Sequence, residues 1–95
     1  MIKSYYVYIM TNVSNRVLYI GVTNSVARRA MEHRIHLNKS FTDSYNVCKL
    51  VYYEGHIDIT DAIRREKQLK KWRRAWKEEL ITRFNPTWRD LFADL

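Results

Sequence analysis

The chain has 95 residues, of which 46% are hydrophobic and 28% charged, with only two Gly and one Pro. That balance excludes collagen-like and disordered classes and fits one compact domain over residues 1–95 with a single modest core. A formal charge of +7 points to an anionic partner, and a lone cysteine, Cys48, excludes an internal disulfide and a Cys-rich zinc centre.

Met1 to Ser4 leads into an alternating Tyr-rich run, and no apolar stretch approaches membrane-spanning length, so the expectation is a cytoplasmic protein without membrane contact. Tyr5 to Met10 and Val17 to Val22 are β-branched and aromatic, separated by turn-forming polar residues, and read as a hairpin. A four-residue loop over Asn12 to Asn15 would pair Thr11 with Arg16, Met10 with Val17, Tyr8 with Tyr19 and Tyr6 with Gly21. Strand alternation then gathers Val7, Ile9, Leu18, Ile20 and Val22 on an aliphatic face and leaves Tyr8 facing Tyr19 on the other. Asn24 or Ser25 can cap a helix running to about Leu37, Asn38 to Asn46 reads as an exposed loop, and Val47 to Glu54 as a third strand. A helical pattern begins at Asp58, with Asp58 and Asp61 at its start and Lys70, Lys71, Arg73 and Arg74 toward its end, where each sign complements the helix dipole. A further helix spans about Ala75 to Phe84, Asn85-Pro86 ends it, and Trp88, Leu91 and Phe92 pack the tail.

Few polar residues stand where their position demands an explanation. Glu66 lies in the stripe of Ala62, Ile63 and Leu69, so it should point inward, where a carboxylate needs either an ion pair with a nearby arginine or a metal. Arg29 and His33, four apart, share a helix face that is either a phosphate-and-proton-transfer pair or a solvated basic surface. His33 and His36 lack the further donors of a zinc site, and His56 reads as a loop residue. Tyr8 and Tyr19 serve packing or a hydroxyl role, and a tyrosine base would need a neighbouring cation or metal. Arg64, Arg65, Lys67, Lys70, Lys71, Arg73, Arg74 and Lys77 form a basic stripe against the single acid Glu66, with Trp72 and Trp76 interleaved, and Arg28 is a further candidate phosphate contact. Such a stripe suits phosphate tracking, and its tryptophans suit either core packing or stacking on unpaired bases.

In their order these residues resemble the GIY-YIG nuclease superfamily, in particular its small stand-alone bacterial branch related to the amino-terminal catalytic domain of the ABC excinuclease. Tyr6-Val7-Tyr8 stands for the first motif, with Tyr in place of the usual Gly, and Tyr19-Ile20-Gly21 matches the second in full. Arg29 and His33 follow at the family's spacing, Arg65-Glu66-Lys67-Gln68 matches its glutamate-bearing helix, and Asn85-Pro86-Thr87-Trp88 its closing motif. The resemblance implies an α+β fold, a three-stranded antiparallel sheet flanked by helices, and metal-dependent hydrolysis of phosphodiesters. It implies one divalent cation, Mg2+ or Mn2+, on Glu66; Arg29 neutralising transition-state charge; Tyr8 or Tyr19 orienting or deprotonating the water, with His33 helping; and Asn85 supporting the site. The expected partner is nucleic acid, DNA before RNA. The contrasting expectations are a binding module of the same fold without turnover and a basic surface for an acidic protein.

Overall fold

The computed structural model describes residues 2–35 and 45–95, so the expected helix end near Leu37, His36 and most of the following loop lie outside the described residues. Along them run strands β1 (Tyr5–Thr11) and β2 (Leu18–Thr23), helix α1 (Val26–Arg34), strand β3 (Lys49–His56), helices α2 (Ile59–Lys71) and α3 (Arg74–Phe84), and a 3-10 turn (Leu91–Asp94). The strands form one antiparallel sheet in the order β2-β1-β3, giving the expected α+β architecture. Among the described residues no helix is long and apolar enough to cross a membrane.

β1 is the central strand, and Val7 through Thr11 are all buried, so both of its faces are covered. Val7, Ile9 and Ile20 pack with Val51, Ala62 and Leu69 of α2 and Ile81 of α3, making one core layer. On the other face Tyr8 and Met10 pack with Val26 of α1, Val47, Leu50 and Leu91. The sheet is thus sandwiched between α2 with α3 on its aliphatic side and α1 with the terminal turn on its tyrosine side.

Local chemistry sets the helix ends. The Ser25 hydroxyl accepts from the Arg28 N–H at 3.2 Å, and Asp58 accepts from the Thr60 N–H at 2.8 Å, each satisfying a donor that the first helical turn leaves open. α2 stops where Trp72 and Arg73 adopt extended backbone, and this short break turns the chain into α3.

The hairpin register differs from the sequence expectation by two residues: Tyr8 pairs with Gly21, Met10 with Tyr19 and Thr11 with Leu18. The cause is Asn12, whose side-chain oxygen accepts from the N–H groups of Arg16 and Val17 at 3.0 and 3.3 Å. Those donors are thereby satisfied inside the connection, which lengthens to residues 12–17, with Asn15 in the left-handed region at φ 60°. An even shift leaves every side chain on its expected face. β3 also runs beyond the expected Glu54 to His56, which is a strand residue paired with Tyr5 rather than a loop residue.

Both glycines sit beneath β1 tyrosines. Gly21 lies opposite Tyr8, and a Cβ there would stand 2.5 Å from the Tyr8 hydroxyl oxygen; Gly55 lies opposite Tyr6, with a Cβ 3.3 Å from its ring and 2.7 Å from Lys3. The Tyr8 ring occupies the space that a side chain at position 21 would need, while at position 55 the nearer obstacle is Lys3.

At the other sheet edge, Asn85 donates to the Val51 carbonyl at 3.2 Å and Asp90 accepts from the Leu50 N–H at 3.2 Å. The tail therefore occupies backbone groups of β3 that could recruit another strand.

Candidate active site

Three elements bring Tyr8, Tyr19, Arg29 and His33 together. Because the register shift was even, the two tyrosines remain on one face, as diagonal neighbours with ring centroids 6.2 Å apart rather than as a directly opposed pair. The His33 ring lies 6.0 Å from that of Tyr8 and 5.4 Å from that of Tyr19. Helical spacing sets Arg29 one turn before His33, and Glu32 stands 3.1 Å from Arg29 Nε, near enough for an ion pair. The pair is not aligned as a hydrogen bond. Arg29 Nε, Tyr8 Oη and His33 Nε2 are all buried with no hydrogen-bond partner among the described residues.

Three such atoms in one place are unusual, since buried polar atoms are nearly always satisfied and an unsatisfied one costs about 1–3 kcal/mol. Their proton states are set by the surroundings. Burial pushes the Tyr8 hydroxyl well above the ordinary tyrosine range; Tyr19 adds to this, and the Arg29 charge only partly offsets it. Burial moves His33 the other way, below its ordinary 6.5, with the Arg29 charge reinforcing the shift and Glu32 opposing it. At neutral pH Tyr8 therefore keeps its proton and can donate, while His33 is uncharged and can accept.

Glu66 sits on α2, on the opposite side of the sheet, with its side chain 19% exposed. Its ion pair is with Lys70 at 3.4 Å, one turn on, where an arginine was expected. The apolar stripe around it is also narrower than expected: Ala62 and Leu69 are buried, but Ile63 is 40% exposed. Among the described residues no three His, Cys, Asp or Glu side chains gather around a common point. β2 is an edge strand, so no further strand separates the two faces on that side.

Asn85 is buried and fully engaged. Its amide donates to the carbonyls of Val51 and Arg89 at 3.2 and 2.8 Å, and its side-chain oxygen accepts from the Arg89 N–H at 3.3 Å. These bonds hold the end of α3 to β3.

Arg28, Arg64, Lys67, Lys70, Lys71, Arg73 and Arg74 are exposed, as a phosphate-tracking surface requires. Arg28 reaches Asn24 at 2.7 Å, Arg64 pairs with Asp61 at 3.1 Å, and Arg74 with Glu78 at 2.9 Å and with the Asn15 carbonyl at 2.8 Å. Arg65 differs. Its Nε donates to both oxygens of Glu54, at 3.2 and 3.0 Å, and its guanidinium lies 5.1 Å from the Trp72 ring centroid.

That Glu54 network is absent from the sequence reading. The Tyr52 hydroxyl donates to one carboxylate oxygen at 2.6 Å, and His56 Nε2 meets the other at 2.7 Å. Burial is the largest influence on Glu54 and raises its pKa, but the bonds from Tyr52, His56 and Arg65 and the Arg65 charge together outweigh it and hold the carboxyl below its ordinary 4.5. The available signal was the alternation Tyr52, Glu54, His56 on one face of a strand, with an arginine on the following helix.

Comparison with known proteins agrees with this architecture. Residues 4–79 match the GIY-YIG catalytic domain family. A UPF0213 protein of Syntrophus aciditrophicus is 37% identical over 77 residues, covering 80% of this chain and 87% of its own length. A UPF0213 protein of Natronomonas pharaonis is 32% identical over 81 residues, covering 85% and 94%. Among solved structures, the solution NMR structure of the UPF0213 protein BH0048 from Bacillus halodurans is similar with a TM-score of 0.52 and 28% identity over 82% of each chain.

Proposed function

This chain belongs to the GIY-YIG family of nuclease-type catalytic domains, and on that premise we propose that it is a single-domain, divalent-metal-dependent endonuclease of the cytoplasm. It hydrolyses DNA phosphodiesters with low sequence specificity, acting on branched or flapped structures of the kind met in repair. The observation that carries the reading is the triad of buried, unsatisfied polar atoms, Tyr8 Oη, Arg29 Nε and His33 Nε2, gathered beside Tyr19.

Hydrolysis of a phosphodiester needs an acceptor for the proton of water and donors for charge building on the phosphoryl oxygens. Opposite environments divide those tasks. His33, held neutral, takes the proton; Tyr8, held protonated, donates to a phosphoryl oxygen; Arg29 neutralises the growing negative charge. Tyr19 lines the same surface and orients the water. Asn85 acts at a distance, as a positioning residue, by fixing the end of α3.

Glu66 is the residue that would hold the cation. A single part-covered carboxylate with an exposed lysine for its partner fits magnesium or manganese, which complete their coordination with water and phosphate oxygens. It does not fit zinc, which takes three or four protein ligands. When bound there, such an ion would supply Lewis-acid polarisation of the phosphoryl group and charge stabilisation at the leaving oxygen. Arg28, Arg64, Lys67, Lys70, Lys71, Arg73 and Arg74 track the phosphate backbone.

Purified protein with flapped, branched and single-stranded DNA and magnesium or manganese should give metal-dependent cleavage. Arg29→Ala and Glu66→Ala should each lower the rate by about 100- to 1,000-fold. Salt-sensitive binding with no cleavage of any substrate would instead describe a binding module of the same fold. Unchanged rates in both variants would sink the assignment of these residues.

A further inference from the structure

Between the end of α2 and the face of α3 lies a groove of about 320 Å³ lined by Trp72, Trp76, Glu79, Leu80 and Arg83. It is on neither the tyrosine cluster nor the Glu54 network, although Trp72 borders the latter through Arg65. The two indole rings meet edge to face, with centroids 6.0 Å apart at 86°. Trp76 is 49% exposed, a large aromatic surface left to solvent where most tryptophans are covered.

We propose that this groove receives an unpaired base of a DNA strand, stacked against Trp76, so that the protein grips single-stranded DNA on the α2–α3 side of the sheet. The inference rests on the nucleic-acid reading above and adds the part of the substrate that is held. Its chemistry follows from what surrounds the rings. The chain from Arg64 to Lys77 carries eight basic residues and the single acid Glu66, so the groove opens beside a strongly cationic surface. Arg73 stands 5.3 Å from the Trp76 ring centroid and has no carboxylate partner among the described ion pairs, leaving its charge available to a phosphate. Lys67 and Lys71 are likewise exposed with no carboxylate partner among the described ion pairs. Glu79, the acid in the lining, is already paired with Arg83 at 2.6 Å. A polyanion whose repeating unit is an aromatic ring matches that combination of π-face and unpaired cation. A blunt duplex, with its bases stacked inside, offers the cations phosphates but gives the indole nothing to stack on.

The test is binding without turnover, in chelator, of fluorescently labelled oligo-dT and of a blunt duplex of equal length. Trp76→Ala, at an exposed position, should weaken oligo-dT binding about tenfold and leave the duplex within about twofold. Replacing one nucleotide at a time by an abasic site in oligo-dT should reproduce the loss at one position with wild type and show no position dependence with Trp76→Ala. Trp76→Phe should recover most of the affinity. Equal weakening on both substrates, or none on either while wild type still binds DNA, overturns the groove assignment and leaves the nuclease reading standing. Wild type that binds neither DNA overturns both. If a poly-glutamate peptide binds and loses affinity on Trp76→Ala while oligo-dT does not, the groove serves an acidic protein and the proposal is wrong.

Discussion

Two clusters in this small molecule are built from the same three kinds of side chain, and they could hardly be more different in how those side chains are satisfied. On β3 and α2, Tyr52, His56 and Arg65 all converge on the Glu54 carboxylate, which accepts from each of them. On β1, β2 and α1, Tyr8, Tyr19, His33 and Arg29 share a surface with no central carboxylate among the described residues, and Glu32 stands to one side of Arg29. The first cluster is closed: its acceptor is present and its charges cancel. The second is open: Tyr8 Oη, Arg29 Nε and His33 Nε2 are buried without a hydrogen-bond partner among the described residues. A ligand bringing several negative oxygens, such as a phosphodiester, supplies the missing acceptors. Residue type does not tell a structural cluster from a reactive one. The presence of a carboxylate at the centre does.

The sharpest way to break this contrast is to remove the hydroxyl from each side. Tyr8→Phe should reduce cleavage about 100-fold. Because that hydroxyl has no hydrogen-bond partner among the described residues, the same change should leave the melting temperature unchanged or raise it slightly. A Tyr8→Phe protein that melts markedly lower would show that the hydroxyl is satisfied and the cluster closed. Opening the other cluster should do the reverse. Glu54→Ala strands three donors and an arginine charge, at about 2–3 kcal/mol, or a fall in melting temperature of about 10 °C or more. Its cleavage rate, corrected for the folded fraction, should stay near wild type.

Acid titration separates the two by pH window, with a smaller effect. His33 has a folded-state pKa below its ordinary 6.5, so on acidification the unfolded chain takes up that proton first; the associated stability is present above pH 6.5 and is lost as pH falls below it. Glu54 is held below its ordinary 4.5, so its contribution is intact above 4.5 and is lost as pH falls through the folded value. Chemical denaturation across pH should show both segments, with His33→Gln flattening the upper and Glu54→Gln the lower. The acid limb of the cleavage profile should have its midpoint below 6.5 in wild type and be reshaped in His33→Gln. If the limb sits above 6.5, His33 is not the proton acceptor.

How much of this could be read from the sequence depended on whether the determinant was local. Face assignment survived because strand alternation depends only on parity, so Tyr8 and Tyr19 could be placed together even with the hairpin register two residues off. The register itself turned on whether one side chain, Asn12, bonded two particular backbone donors, which composition does not reveal. Helix starts at Ser25 and Asp58 were legible because capping is decided within a few residues. The Glu54 network was not, because it joins a strand to a residue eleven positions later in a helix whose rotation was unknown. For the same reason the expected arginine partner of Glu66 is replaced by Lys70, one turn on along its own helix. The engagement of Asn85 with the β3 edge was similarly hidden, since it needs the position of a strand 34 residues earlier.

The glycines under the tyrosines carry one more consequence, for how this sequence can change over generations. Position 21 is occupied in space by a residue encoded at position 8, so neither member of that pair is free to drift alone, whereas position 55 is crowded first by the flexible side chain encoded at position 3 and only then by the ring encoded at position 6. A methyl at 21 pushes the Tyr8 hydroxyl out of its cluster before it disturbs the sheet, which makes it a loss of alignment first and of stability second. A chain that trades Tyr8 for a small residue, in contrast, opens a slot that a side chain at 21 can refill. Related sequences should therefore inherit ring and hole together, and a lineage in which both have been exchanged should keep the fold while having abandoned the hydroxyl.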